Sequence, residues 1–380
     1  MRKIVGYLVL LVCLALYVLS LSNGLTVKFT NLKNRKASIV NSDTEMSDLY
    51  RFSYLSKFRE SPTSTPKVVA TKCDNNAQID LYQVGDSYIW KYLNNRAYYC
   101  NVNKSTMVKT NNKGKLYLNL DSSKVNVLLV EFAERNIIRI LQDTGYTYHI
   151  LNKANNPAVS GIVKGETRES ISVKANSKWA KFKSKFETVS NDVSDVLFNS
   201  HINTNIELNL WNMALFSPIK EFKANVNYYL FGSVDKDVRI SSNQKQLYLA
   251  STIDTLSNES SFQRISDAKL DTLINSFNVI YQQAKAIGFN KIYLSIIPSP
   301  VSVLEPRYQG MQYNYLVDRL QKSQKLQFQC IDIMPEFRQL QEKAYFKADS
   351  HWNNYGAQLW LNKFNNVLQQ SIKEQDNSSN

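Results

Sequence analysis

Three histidines occur in the 380 residues, His149, His201 and His351, and only His351 has a carboxylate two positions away, in the run Asp349-Ser350-His351-Trp352-Asn353. An imidazole takes a proton best when a carboxylate fixes its tautomer and stabilises its charged form. A hydroxyl for such a base to activate stands far upstream, in Gly85-Asp86-Ser87. The apolar stretch Ile79 to Val84 alternates like a strand and runs into this tripeptide, and Tyr88 to Arg96 has helix-compatible spacing. Strand, tight turn and helix would set Ser87 at a helix amino terminus, where backbone N–H groups can hold a developing oxyanion, and Gly85 would permit the sharp turn. The same residues also have plain structural readings. Ser87 can be a helix N-cap, and Asp349 can cap the last helix with His351 an ordinary loop residue. His149 and His201 have no local partner of this kind.

The remaining elements say how these segments could meet. Val125 to Val130 is a mostly apolar run of the sort buried on both faces of a parallel sheet, and Glu131 to Asp143 reads as the start of a helix. Tyr228 to Phe231 and Gln246 to Leu249 read as strands around a Ser242-Asn243 turn. Ile265 to Ile287 has helical apolar spacing and Gly288 as its C-cap. Lys291 to Ile297 is a strand stopped by Pro298-Ser299-Pro300, Asn314 to Ser323 a helix, Phe328 to Ile333 a strand and Asn354 to Gln370 a closing helix. Strands alternating with helices predict an α/β fold with a parallel, doubly wound sheet. Ligands bind such sheets outside the carboxyl ends of the strands, which is where Gly85 to Ser87, Glu131 to Asn136, the loop after Pro298 and Asp349 to Trp352 are expected to fall.

Composition bounds the rest. With 43% apolar and 12% aromatic residues and only 11 Gly and 8 Pro, the chain is that of a folded protein. A net charge of +14 raises nucleic acid as a partner, but the basic residues form no recognisable binding motif, and the densest run, Lys174 to Lys185, reads as a solvated face; no nucleic-acid partner is expected. The uncharged stretch from Ile4 to about Asn23 nearly matches a ~30 Å hydrocarbon core, so residues 1–24 are expected to be a retained transmembrane anchor in the lipid bilayer. Residues 25–66 read as a stalk or tether with a short helical patch around Met46 to Phe58, and residues 67–375 as the main domain. An insertion is expected at about 152–225 and a disordered tail at 376–380. Cys73 and Cys100 flank the Ser87 segment; a disulfide in an exported domain and two buried free thiols are both open readings. The histidines and cysteines have no zinc-ligand spacing, and no phosphate-cradling glycine loop occurs, so no metal or cofactor is expected.

Gly85-Asp86-Ser87 after the first core strand, with Asp349-Ser350-His351-Trp352-Asn353 just before the last helix, resembles the SGNH hydrolase superfamily. The Asp-x-His-Trp form is similar to that of proteins related to alginate O-acetyltransferases, and the single amino-terminal span to the D-alanyl transfer protein of teichoic acid synthesis. The resemblance covers roughly residues 67–150 and 228–375. It implies a three-layer α/β/α fold in which Ser87 is the acyl-accepting nucleophile, His351 the base and Asp349 its orienting carboxylate. It also implies a membrane-bound esterase or O-acyltransferase acting outside the cytoplasm on a polysaccharide or cell-wall polymer, beside a multi-span membrane acyltransferase. The family's Gly-x-Asn-Asp block is replaced by Glu131-Phe132-Ala133-Glu134-Arg135-Asn136. There Asn136 could supply an oxyanion amide, and Arg135 could bind an anionic group or pair with Glu131. Gly85, Asp86 and Trp352 complete the oxyanion and substrate candidates. The competing reading is a non-catalytic envelope protein whose 22 Tyr and 5 Trp stack on sugars.

Overall fold

A computed structural model describes residues 2–21, 47–60, 67–71, 73, 77–109, 118, 120–142 and 216–378. His149, His201, the Lys174 to Lys185 run and most of the expected insertion lie outside these residues. The chain divides into two compact units, Met1–Glu45 with Asn156–Lys223, and Met46–Asn155 with Ala224–Asn380.

In the second unit the strands are β1 (Ile79–Gly85), β2 (Val102–Lys109), β3 (Val125–Ala133), β4 (Val238–Ile240), β5 (Leu247–Leu249), β6 (Lys291–Ile297), β7 (Arg307–Tyr308), β8 (Met311–Gln312) and β9 (Gln329–Cys330). Five of them form the main sheet in the order β2-β1-β3-β6-β9, with every neighbouring pair parallel. With its flanking helices this is an α/β fold, as the alternation of elements predicts. β1 and β3 are buried at every position, which explains their near-continuous apolar sequence. The polar exceptions in β1 are satisfied: Asn103 Nδ2 donates to Asp80 Oδ1 at 2.9 Å and Gln83 Nε2 donates to Ser105 Oγ at 2.9 Å. The chain builds outward from β1 to β2 and then crosses back to β3. The crevice where the strand order reverses therefore opens at the ends of β1 and β3.

The helix Asp267–Ile287 covers the sheet with Leu273, Ile274, Phe277, Ile280 and Ala284. Ser266 caps it by accepting from Lys269 N, and Gly288, at φ 112°, ends it in the left-handed conformation a side chain would resist. The closing helix Asn354–Ser378 docks Trp360, Leu361, Phe364 and Leu368 into the core. At Gly356 an added Cβ would lie 2.5 Å from the Ala344 carbonyl oxygen, so this approach of helix to loop requires glycine.

Several expectations are corrected. Tyr228 to Phe231 is no strand but the end of the helix Ser217–Phe231, because four apolar residues in a row carry no periodicity; the hairpin partner of β5 is β4. β3 runs on through Ala133, and only then come a 3₁₀ turn, Glu134–Asn136, and the short helix Ile137–Leu141. The closing helix reaches Ser378, taking in Asp376 to Ser378 of the expected tail. The expected tether ends early. From Ser47 to Glu60 it is part of the second unit, with Leu49, Tyr50, Leu55 and Phe58 buried alongside Val238, Leu247 and Ala348.

In the first unit the apolar amino-terminal stretch forms the 19-residue helix Arg2–Ser20. At ~1.5 Å per residue it falls just short of a ~30 Å hydrocarbon core. No helix among the described residues is long and apolar enough to cross a membrane, so the structure does not carry the transmembrane reading of residues 1–24.

Candidate active site

Two loops, 264 positions apart, meet at the crevice: Ser87 Oγ lies 2.6 Å from His351 Nε2. His351 Nδ1 lies 2.5 Å from Asp349 Oδ1, and the same oxygen accepts the His351 backbone N–H at 3.0 Å. The geometry fixes the tautomer: the proton on Nδ1 is donated to Asp349, leaving Nε2 to accept from the Ser87 hydroxyl. His351 is 8% exposed and Asp349 1%, while Ser87 is half-buried and open to a ligand. Burial would raise the Asp349 carboxyl, but the hydrogen bond and charge of His351, with Lys91 Nζ 3.9 Å away, outweigh it and hold the group below the ordinary carboxylate range. The carboxylate thus stays charged and able to stabilise an imidazolium.

Ser87 opens the helix Ser87–Tyr92, so its backbone N–H has no carbonyl of the preceding turn to bond within the helix. The N-cap is its neighbour. Asp86 Oδ1 accepts Tyr88 N–H at 3.0 Å, and Asp86 Oδ2 accepts Ala133 N–H at 2.9 Å and Asn136 Nδ2 at 3.2 Å. Asp86 therefore ties the Ser87 turn to the end of β3, which is why its side chain is buried rather than offered to a ligand. Asn136 is buried with it; one amide hydrogen goes to Asp86 and its Oδ1 accepts Arg139 Nη2 at 2.9 Å.

Arg135 does not pair with Glu131. Its Nη1 donates to the Ser350 carbonyl at 3.2 Å and to Tyr88 Oη at 3.3 Å, and Tyr88 Oη donates to the same carbonyl at 2.5 Å. The guanidinium and the phenol together hold the residue between Asp349 and His351. Trp352 is fully buried against Tyr88, Phe337 and Trp360, with ring centroids 5.3, 6.2 and 5.9 Å away, so it packs the floor behind the site and meets no substrate. Gly85 owes its identity to a close approach: an added Cβ would lie 3.0 Å from Glu131 Oε2.

Glu131 accepts the Asp86 N–H at 2.7 Å, and its other oxygen is buried without a hydrogen-bond partner. Burial first, and the neighbouring Asp86 carboxylate second, push its carboxyl well above the ordinary value of 4.5. Between 4.5 and the raised value the folded protein keeps a proton that the unfolded chain has lost, so this group's contribution to stability falls as pH rises through that window. Glu131→Gln keeps the acceptor for Asp86 and has no charge to bury. Its urea midpoint should exceed that of the parent protein at pH 8 and converge with it below pH 4.5; parallel midpoints across that range would show that Glu131 is ionised throughout.

Asp48 was not foreseen. It comes from the segment taken for a tether, and its Oδ2 lies 3.7 Å from His351 Nδ1. Asp48, Asp349 and His351 also form, among the described residues, a group whose ligand atoms lie within 4.8 Å of one another, so a divalent cation would find three donors there. The direct Nδ1–Asp349 hydrogen bond occupies two of them. A disulfide joins Cys73 to Cys100, settling the pairing the sequence leaves open.

Compared with known proteins, the chain matches no family model, no curated protein and no solved structure.

Proposed function

We propose that this protein is a serine-dependent acyl esterase or O-acyltransferase with Ser87 as nucleophile, His351 as general acid and base and Asp349 as orienting carboxylate. One observation carries the reading: the unbroken line from Ser87 Oγ through both imidazole nitrogens to a buried carboxylate, with steps of 2.6 and 2.5 Å. In the first step the Ser87 oxygen attacks an acyl carbonyl while its proton passes to His351 Nε2. The tetrahedral intermediate then collapses, its alkoxide leaving with that proton and its acyl group remaining on Ser87. Water, or a second hydroxyl, then attacks the acyl-serine and gives its proton to Nε2; on collapse the Ser87 O–acyl bond breaks, the acceptor keeps the acyl group and Nε2 hands the proton back to the Ser87 oxygen. The Ser87 N–H and the second Asn136 amide hydrogen are the proposed donors to the oxyanion.

The substrate class is proposed as an acylated or acyl-accepting glycan of the cell envelope, on the resemblance to SGNH enzymes with an α/β/α three-layer arrangement. An exported, membrane-associated setting is supported by the Cys73–Cys100 disulfide, since disulfides persist in oxidising compartments. The helix Arg2–Ser20, which exposes Leu8, Leu10, Leu11 and Leu14, is the proposed contact with lipid, and a multi-span membrane acyltransferase the proposed supplier of acyl groups.

A fluorophosphonate probe should label the protein with one adduct, mapped to Ser87 by peptide mass spectrometry and lost in Ser87→Ala. An unlabelled native protein that nevertheless binds glycan would favour the non-catalytic reading instead.

A further inference from the structure

Resting on that reading, we propose that Asp48 is a positioning residue: a second carboxylate, delivered by the segment after the amino-terminal region, that holds the Asp349–His351 loop in place and favours the charged imidazole during turnover. The contacts are specific to this loop. Asp48 Oδ1 accepts Ser350 N–H at 2.8 Å and Oδ2 accepts Ser350 Oγ–H at 2.7 Å, while the Asp48 N–H points at Asp349 Oδ2 at 3.4 Å. The same segment also grips the residues just before the loop, through two backbone N–H groups and the Glu60 carboxylate. Leu49 N and Tyr50 N both donate to the Ala348 carbonyl, at 2.9 and 3.1 Å, and Lys347 N donates to Glu60 Oε2 at 2.6 Å.

Ser350 is thereby held from two sides. Asp48 takes its N–H and hydroxyl, and Arg135 and Tyr88 take its carbonyl. A residue fixed at both ends of its peptide unit leaves the flanking Asp349 and His351 few conformations, which is what a proton relay needs.

Position alone would be served by any acceptor, yet the group is a carboxylate 3.7 Å from Nδ1. The titratable and charged groups around it are Asp349 and His351 from the loop, the Tyr92 phenol from the helix Ser87–Tyr92 and Arg135 from the turn after β3, while Lys91 of that helix lies 3.9 Å from Asp349. Burial and the charge of Asp349 raise the Asp48 carboxyl, while His351 and the two Ser350 hydrogen bonds oppose them. An anion so placed gains most when the imidazole is charged, which is its state in the tetrahedral intermediate. The amino-terminal segment is thus coupled to the site it precedes: a displacement of residues 47–60 would withdraw this support.

The test compares full-length wild type, Asp48→Asn and Asp48→Glu. Asparagine keeps an acceptor for Ser350 and removes the charge. With 4-nitrophenyl acetate we expect Asp48→Asn to lower kcat about tenfold with KM within about twofold, and Asp48→Glu to recover part of the loss. The acid limb of the Asp48→Asn kcat/KM profile should move to lower pH, since removing the nearby anion disfavours a charged imidazole. The same displacement should appear in the NMR titration of the His351 ring, assigned by its loss in His351→Ala. This second readout needs no turnover, so an inactive wild type would defeat the acyl-transfer reading and leave the Asp48 inference to stand or fall on the titration. Wild-type kcat and an unmoved ring titration in Asp48→Asn would overturn it. So would a fall in kcat that merely tracks a loss of folded protein.

Discussion

Ser87→Ala and His351→Ala should each lower turnover of an aryl acetate by about 10⁴-fold or more, and the double variant should be no worse than either alone. In the proposed relay the hydroxyl and the imidazole share a single proton transfer across 2.6 Å, so once one is gone the other has nothing to exchange with. Asp349→Asn should cost about 10⁴-fold as well, although it removes no reacting atom. Its amide would present a donor to Nδ1 where the carboxylate presents an acceptor 2.5 Å away, turning the imidazole to the tautomer that carries its proton on Nε2 and cannot take one from Ser87. The measurement is the initial rate against 4-nitrophenyl acetate, with the folded state of each variant checked by thermal melting. Additive losses in the double variant would mean that Ser87 and His351 serve separate steps, and the relay would have to be abandoned.

How much of this was legible before the structure follows from what each signal physically is. β3 and β6 were legible because a strand covered on both faces is mostly apolar along its length, and β1 because its residues alternate with the period of a strand. β2 was not, because it lies at the edge of the sheet and alternates Asn103, Lys104, Ser105 and Thr106 with little apolar content. The catalytic line was legible since both of its halves are local, a serine at a strand-to-helix turn and a carboxylate two residues from a histidine. What surrounds it was not. Asp48 reaches Ser350 across 302 positions, from the short helical patch of a stretch that otherwise reads as a tether, and only folding gives that pair its meaning. Arg135 is an instructive middle case. The sequence suggested Glu131, four residues back, as its partner, but β3 continues through Ala133, so Glu131 turns inward to Asp86 while Arg135 turns toward the loop. The Trp352 side chain, a substrate candidate by type, is claimed by the core because an indole with Tyr88, Phe337 and Trp360 around it leaves no face for a sugar.

That aromatic cluster should also give the largest effect on stability. Trp360 is fully buried in the helix Asn354–Ser378, with Phe364 and Trp352 ring centroids at 5.1 and 5.9 Å, and its Nε1 donates to Ser295 Oγ on β6 at 2.8 Å. Trp360→Ala should destabilise the protein by about 3–5 kcal/mol, from lost burial and from the cavity left behind. Stranding the buried Ser295 hydroxyl would add to this. Trp360→Phe keeps most of the bulk and loses only the indole donor, so it should cost less, on the order of 1–3 kcal/mol. Urea unfolding with a matched m-value would measure both. The two variants also separate support from chemistry. Trp360 follows the catalytic loop by nine residues but reaches no reacting atom, because Asn353 caps the intervening turn by accepting Tyr355 N–H at 2.9 Å and donating to the Lys343 and Tyr345 carbonyls at 2.9 and 3.0 Å. Well below its unfolding midpoint, Trp360→Phe should therefore retain a kcat within about threefold of wild type. A collapse of kcat in a fully folded Trp360→Phe would mean that the closing helix sets the His351 ring directly, and that the Asn353 cap does not insulate the loop from the packing beneath it.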